Sequence, residues 1–294
     1  MNRLRTPRSA KFVQYTTLIG PAELAEHIAD PGWVVVDCRF DLANPAAGSR
    51  QYAEGHIPGA RYAHLDSDLS GPITARTGRH PLPDPECFAR KLGGWGIGDA
   101  TQVVAYDDAS GAVAARLWWM LRWVGHRRVA VLNGGLKAWV ETGRSLSDRT
   151  PLIAPTSYVP RVDPDAAVSV EQVMNGLAAG TLVLVDARAS DRFAGQNETI
   201  DPVAGHVPGA RNHPFLSNVA GDRRFLGEGE LRERWHTTLA GATGRDVVSM
   251  CGSGVTACHN LLALEVAGYR GARLYPGSWS EWIRDEKRKV ERSG

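Results

Sequence analysis

Gly55-His56-Ile57-Pro58-Gly59-Ala60-Arg61 returns as Gly205-His206-Val207-Pro208-Gly209-Ala210-Arg211, 150 positions later. Upstream of it, Val34-Val35-Val36-Asp37-Cys38-Arg39 returns as Val183-Leu184-Val185-Asp186-Ala187-Arg188 at an offset of 149. Downstream, Val103-Val104-Ala105-Tyr106-Asp107 pairs with Val247-Val248-Ser249-Met250-Cys251 at an offset of 144. Gly125-His126-Arg127 then pairs with Gly268-Tyr269-Arg270 at 143. Four blocks in one order at nearly constant spacing mark a duplicated unit. The first copy is expected over residues 13–145 and the second over 168–294, joined by a Pro-rich linker at 146–167. Prolines at 151, 155, 160 and 164 remove amide donors and fix φ, so the linker should run extended.

Inside each copy, short apolar runs alternate with longer helical patterns. Trp33–Val36, Val103–Tyr106 and Val129–Leu132 read as strands of the first copy, and Leu182–Val185, Val247–Met250 and Ala272–Tyr275 as strands of the second. They are apolar throughout rather than alternating, as strands covered on both faces should be. Helical patterns lie between them at Pro21–Ala29, Ala112–Val124, Val168–Ala179, Glu230–Leu239 and Thr256–Ala267. Strand, helix, strand in succession implies right-handed crossovers. The fold class is therefore α/β, twice: two tandem domains, each a mostly parallel sheet flanked by helices.

Composition removes several functional classes. The chain has 294 residues, 43% hydrophobic and 22% charged, close to an ordinary globular protein. Lys and Arg number 34 against 32 acids, a formal +2, which provides no global field for nucleic acid or an anionic membrane. No apolar run approaches the ~18 residues of a membrane span. Four cysteines, none in a C-x-x-C pair, are too few for a disulfide scaffold and point to a reducing cytoplasm. Arg3, Arg5, Arg8 and Lys11 make the first dozen residues basic. They read as a frayed terminus, with a targeting segment as the alternative. No metal cluster or phosphate-loop signature appears, so no cofactor is implied.

Ligands of open α/β sheets collect at the carboxyl ends of the strands, and Cys251 sits at such an end. It opens Cys251-Gly252-Ser253-Gly254-Val255-Thr256, after which a helix begins. Gly252 and Gly254 allow a tight turn whose N–H groups point inward as an anion-binding nest, and the helix N-terminus adds partial positive charge. Such a cradle should favour a nucleophilic thiolate and would equally stabilise a persulfide anion or an oxyanion of a bound donor. Cysteine phosphatases require an arginine six residues beyond the cysteine, and Ala257 stands there. Cys38, Cys87 and Cys258 lack such a cradle and read as packing thiols.

The paired Gly-His-Ile/Val-Pro-Gly-Ala motifs, the stretch Leu132–Trp139, the stretch Gly277–Trp282 and the Cys251–Thr256 loop together resemble the tandem-domain rhodanese family. The resemblance runs from about Val13 to about Lys287. Within that family the loop is similar to that of enzymes acting on 3-mercaptopyruvate, because thiosulfate-preferring members usually carry a basic residue inside it. The resemblance implies a sulfurtransferase in which Cys251 takes sulfur from a small-molecule donor as a persulfide and yields it to cyanide, a small thiol or reduced thioredoxin. It also implies that the first copy, with Asp107 in the cysteine position, is catalytically silent.

Site residues follow from the same resemblance. Ser253 matches the loop serine of a Ser–His–Asp relay, His80 its histidine and Asp66 its aspartate, with Asp68 an equal candidate by spacing. A histidine in a Pro-rich loop such as Thr77–Pro83 is otherwise a surface residue. Arg192 matches the arginine that binds the donor carboxylate, and Arg188 matches a second family arginine that often pairs with the strand aspartate. Gly252, Gly254, Val255 and Thr256 would line the donor. The family usually carries a further donor-binding arginine shortly before the second Gly-His motif, yet Asn197–Pro202 contains none. That departure leaves thiosulfate open as the donor. A persulfide carrier without turnover is the reading from outside enzymes. His56 and His206, equivalent in both copies, read as structural.

Overall fold

The computed structural model describes residues 14–293, so the basic segment from Arg3 to Lys11 lies outside the described residues. Among the described residues, nine strands form two sheets: β1 (Leu18–Ile19), β2 (Trp33–Asp37), β3 (Arg61–Tyr62), β4 (Gln102–Tyr106) and β5 (Val129–Leu132), then β6 (Val183–Asp186), β7 (Arg211–Asn212), β8 (Val247–Met250) and β9 (Arg273–Leu274). The first sheet runs β1-β5-β4-β2-β3 and the second β7-β6-β8-β9. Every pairing is parallel. The two sheets correspond in strand order, except that β1 has no counterpart strand in the second. A single parallel bridge between Ala167 and Leu274 takes its place.

The central strands are buried along their whole length because helices cover both faces. Two of those helices meet between the sheets. The Ala114–Trp123 helix buries nine of its ten residues, and the Thr256–Val266 helix buries Ala257 through Leu264. Helices apolar on every side belong in an interior. Their contact joins the two domains: a single cluster of buried side chains runs from Val34, Val103 and Leu117 through Leu261 and Leu264 to Val185 and Val247. Separate clusters lie on the outer face of each sheet.

Between the domains, residues 146–167 hold no helix, and strand-like pairing occurs only at Ser147 and Ala167. This segment is tied along the first domain. The Thr156 N–H donates to Gly93 O, the Arg161 N–H donates to Val124 O, and the Tyr158 hydroxyl donates to the same Val124 carbonyl. Among the described residues, no helix is long and apolar enough to cross a membrane.

The Gly-His-Ile/Val-Pro-Gly-Ala motifs occupy equivalent turns. Gly59 and Gly209 adopt φ of +76° and +78°, the left-handed region open to glycine. His56 stacks on Tyr52 and donates from Nδ1 to Tyr52 O, while His206 stacks on Phe193 and donates from Nδ1 to Phe193 O. The backbones of His56 and His206 bridge to Ser147 and Glu291, pinning the C-terminal tail of each domain. These contacts are architectural in both copies.

Candidate active site

β8 ends at Met250 and the chain turns directly into Cys251. Gly254 holds the loop's tightest point: its φ is +79°, and a Cβ there would lie 2.5 Å from Pro276 O. Any other residue would meet both strain and a clash. The turn brings the Gly254 N–H to Cys251 Sγ at 3.2 Å. The Cys251 N–H donates to Ser278 Oγ at 3.1 Å, and that hydroxyl donates to Tyr275 O. Ser278 has a φ of +53°, a left-handed conformation costing a non-glycine residue about 1 kcal/mol. Strain of this kind gathers where a side chain must be aimed, here at the backbone of the nucleophile candidate. Sequence reading did not single out Ser278.

His80, carried by a first-domain loop, reaches across the domain boundary and is only 3% exposed. Its Nδ1 lies 2.7 Å from Ser253 Oγ and its Nε2 lies 3.2 Å from Asp66 Oδ1. A carboxylate only accepts, so Nε2 carries the proton and Nδ1 accepts from the Ser253 hydroxyl. Burial, then the nearby Arg116 and Arg79 guanidinium groups, push the His80 imidazole down to about 3, so it is neutral at ordinary pH. Spacing left Asp66 and Asp68 equivalent. The structure brings Asp66 to His80, whereas Asp68 accepts the His64 N–H and pairs with Lys91 at 2.6 Å.

Beneath the loop lies Arg116, wholly buried in the Ala114–Trp123 helix. It donates to Gly254 O at 3.0 Å, His80 O at 3.2 Å and Leu69 O at 3.3 Å. One first-domain cation therefore fixes both the cysteine loop and the histidine loop. Burial lowers its pKa, and the thiols of Cys258 and Cys251 oppose that effect. The sequence held a signal for Arg116, a lone charge within Ala114-Ala115-Arg116-Leu117-Trp118-Trp119, because a charge in a buried run needs a dedicated partner.

The arginines of the second domain divide in two. Arg188, grouped with the donor-binding residues but also matched to an arginine that pairs with the strand aspartate, makes that pair. Its side chain is 1% exposed, forks onto Asp186, donates to Gly205 O and Glu198, and lies over the Trp279 ring. Arg39 makes the same pair of contacts to Asp37 and Gly55 O in the first domain. With its N–H groups engaged and no surface, Arg188 holds the turn together. Arg192 is 19% exposed, forks onto Glu198, and reaches Asp201 Oδ2 at 3.2 Å. Arg192 faces Gly252: a Cβ built there would lie 3.7 Å from Arg192 Nη2. Val255 and Thr256 complete the loop, with Thr256 opening the helix whose N-terminus faces inward.

Relatives of known kind share this architecture. The rhodanese-like domain family matches residues 20–142 and 169–285. A protein of Pseudomonas aeruginosa named "probable 3-mercaptopyruvate sulfurtransferase" is 46% identical over 275 residues, 93% of this chain and 97% of that one. The bovine thiosulfate sulfurtransferase is 32% identical over 282 residues, 92% of this chain and 93% of its own. Among solved structures, the 3-mercaptopyruvate sulfurtransferase of Leishmania major aligns with a TM-score of 0.81 at 33% identity, covering 91% of this chain and 74% of that one. Two family matches, one on each sheet, account for the internal repeat. The chain belongs to the rhodanese family, as a protein of two rhodanese-like domains.

Proposed function

We propose that this chain is a sulfurtransferase that takes sulfur from 3-mercaptopyruvate onto Cys251 and passes it to a thiophilic acceptor. The observation that carries this reading is the hydrogen-bonded line Asp66–His80–Ser253 beside the cysteine loop. A loop without a basic residue needs a group that manages the proton of the donor thiol, and a neutral imidazole behind a serine hydroxyl does so. The Cys251 thiolate attacks the donor sulfur. The carbon–sulfur bond breaks, its electrons pass to the pyruvate enolate, and the donor's thiol proton ends on the enolate carbon. Products are pyruvate and the Cys251 persulfide, with no outside oxidant or reductant. Cyanide, a small thiol or reduced thioredoxin then attacks the outer sulfur and restores the thiolate.

In this reading Arg192 binds the donor carboxylate, and Gly252 leaves room for it beside the nucleophile. The first domain supplies no nucleophile, since the Asp107 carboxylate cannot form a persulfide. It contributes His80, Asp66 and Arg116. All four cysteines are free thiols, in keeping with a reducing cytoplasm. Thiosulfate is the second donor to weigh, because a bovine relative acts on it by name and residues 197–202 lack the further arginine.

The test is a pair of assays on wild type and His80→Ala: pyruvate and thiocyanate from 3-mercaptopyruvate plus cyanide, and thiocyanate from thiosulfate plus cyanide. The expected result is a higher kcat/KM for 3-mercaptopyruvate and a loss of about 100-fold in His80→Ala with that donor, the scale of general acid–base catalysis. Faster turnover of thiosulfate, with His80→Ala unchanged, would overturn the donor assignment. No turnover of either donor would leave a persulfide carrier.

A further inference from the structure

We propose that a cavity on the domain seam, at the end away from Cys251, binds a small molecule carrying a diphosphate, gripped by equivalent arginines from the two copies of the repeat. Arg127 and Arg270 belong to the fourth repeated block, Gly125-His126-Arg127 and Gly268-Tyr269-Arg270, which the cysteine site does not use. Gly125 and Gly268 follow the two helices of the seam with φ of +90° and +89°, so each copy stops its helix and turns out its arginine in the same way. Both arginines are exposed, and both line one cavity of about 680 Å³. That volume lies within the ~300–1,000 Å³ of small-molecule sites.

The cavity and the cysteine loop lie at opposite ends of the second sheet. Arg245 precedes β8 and Arg273 opens β9, and both line the cavity, whereas Cys251 follows β8. The domain seam forms its apolar wall, where the rings of Trp119 and Trp123 stack at 6.0 Å. A ligand seated there would touch both domains without reaching the nucleophile.

Five arginines line this cavity against three carboxylates. Arg122 pairs with Glu265 at 3.1 Å, and these two stand at the same offset of 143 as the repeated turns. Among the described residues, the guanidinium groups of Arg127, Arg245, Arg270 and Arg273 have neither a carboxylate within 4 Å nor a hydrogen-bond acceptor, and the Arg273 Nε is itself buried. Burial lowers the Arg122 pKa, Glu265 opposes that effect, and the Arg127 and Arg270 guanidinium groups lower it further. A bound anion would relieve this repulsion. The whole chain carries only +2, so the surplus is local to the cavity rather than part of a broad basic face. Guanidinium forks match phosphate oxygens. One unpaired arginine stands on the first domain and three on the second, which calls for linked anionic groups that reach both sides.

The test uses isothermal titration calorimetry and melting temperatures with inorganic phosphate, pyrophosphate and ADP as probes. The proteins are wild type, Arg127→Gln, Arg270→Gln, the double variant and Arg192→Gln, all as the full chain. Wild type should bind pyrophosphate with a Kd below about 1 mM, at least tenfold tighter than inorganic phosphate. At about a hundred times Kd its melting temperature should rise by about 5 °C. Each single seam variant should weaken binding about tenfold and the double variant about 100-fold. Without ligand, the single variants should keep the wild-type melting temperature and turnover, because these side chains have no partner to lose. Arg192→Gln should bind pyrophosphate as wild type does. ADP binding tighter than pyrophosphate would place the ligand among nucleotides, and equal affinity would place it among inorganic diphosphates; both support the site. No saturable binding of pyrophosphate, affinity no better than that of inorganic phosphate, or binding that survives in the double variant and disappears in Arg192→Gln would overturn the proposal.

Discussion

The loops after β4 and after β8 turn at the same point and differ in the head group they enclose. In the first domain the Asp107 carboxylate accepts four backbone N–H groups, from Ala109, Gly111, Val113 and Ala114, at 2.8–2.9 Å. In the second domain Cys251 Sγ stands in that place and receives the Gly254 N–H. Ser110 and Gly254 occupy the same point of the turn, with φ of +63° and +79°. Each loop is also capped by the opposite domain. Arg116 donates to Gly254 O, and His259, from the helix after Cys251, meets Ser110 O at 3.0 Å. The comparison shows what the cradle is for. It holds negative charge two bonds beyond the Cβ, where Asp107 places its oxygens and where a persulfide would place its outer sulfur. One copy of the unit uses that capacity for its own carboxylate, and in the proposed function the other uses it for a persulfide.

The comparison can be broken first at Asp107. Asp107→Ala leaves four buried N–H groups without an acceptor, which should cost about 4 kcal/mol or more, read as a lower urea midpoint. A loss below about 1 kcal/mol would mean that the cradle is not needed to hold the first domain. The next test exchanges the caps. Arg116→Met removes the donor for three carbonyls at the domain boundary and should cost about 3 kcal/mol, with a fall in turnover because both His80 and the cysteine loop lose their anchor. His259→Phe removes the reciprocal cap on Ser110 O and should cost less, about 1 kcal/mol, without touching His80. Equal effects on turnover would remove the asymmetry between the two caps.

Acidification probes the buried histidines on the two sides of the comparison. Burial holds His80 at about 3 in the fold against 6.5 when unfolded, so between those values the unfolded chain binds the extra proton. Stability from this group is full above pH 6.5 and falls as pH falls, by about 2 kcal/mol between pH 7 and 5. His213 and His259, each pushed to about 4 by burial, act in the same direction. Asp107 acts in the opposite one: burial raises its carboxyl against the pull of its four N–H partners, so acid relieves a cost. Melting temperatures across this range should show His80→Gln with a shallower slope than wild type.

The duplication was legible because the Gly-His-Ile/Val-Pro-Gly-Ala turns repeat nearly letter for letter, each needing the same left-handed glycine, while the central strands repeat in apolar character. Of the edge strands, only the one at Arg273–Leu274 was read. Arg61–Tyr62 and Arg211–Asn212 are two residues long and polar, and the helices Ala47–Glu54 and Pro85–Gly94 carry less apolar patterning than the buried pair. At the site, Cys251 and Ser253 were legible from a glycine-framed turn at a strand end, which is local information. His80 and Asp66 came only through resemblance, since His80 meets Ser253 across 173 residues. Arg79 and Arg116 went unread for the same reason: their partners lie 122 and 138 residues away, in the other domain. The pairing of Arg188 with its strand aspartate was legible, because the Asp-x-Arg pattern repeats at 37–39 and 186–188.

The central claim, that the cradle at Cys251 carries sulfur while the cradle at Asp107 cannot, is tested most directly by intact-protein and peptide mass spectrometry after exposure to 3-mercaptopyruvate. Wild type should gain the mass of one sulfur atom on the peptide containing Cys251, and cyanide should remove it. Cys251→Ser should gain none, with Cys38, Cys87 and Cys258 unmodified. Sulfur retained by Cys251→Ser, or found on another cysteine of the wild type and released to cyanide, would contradict the account.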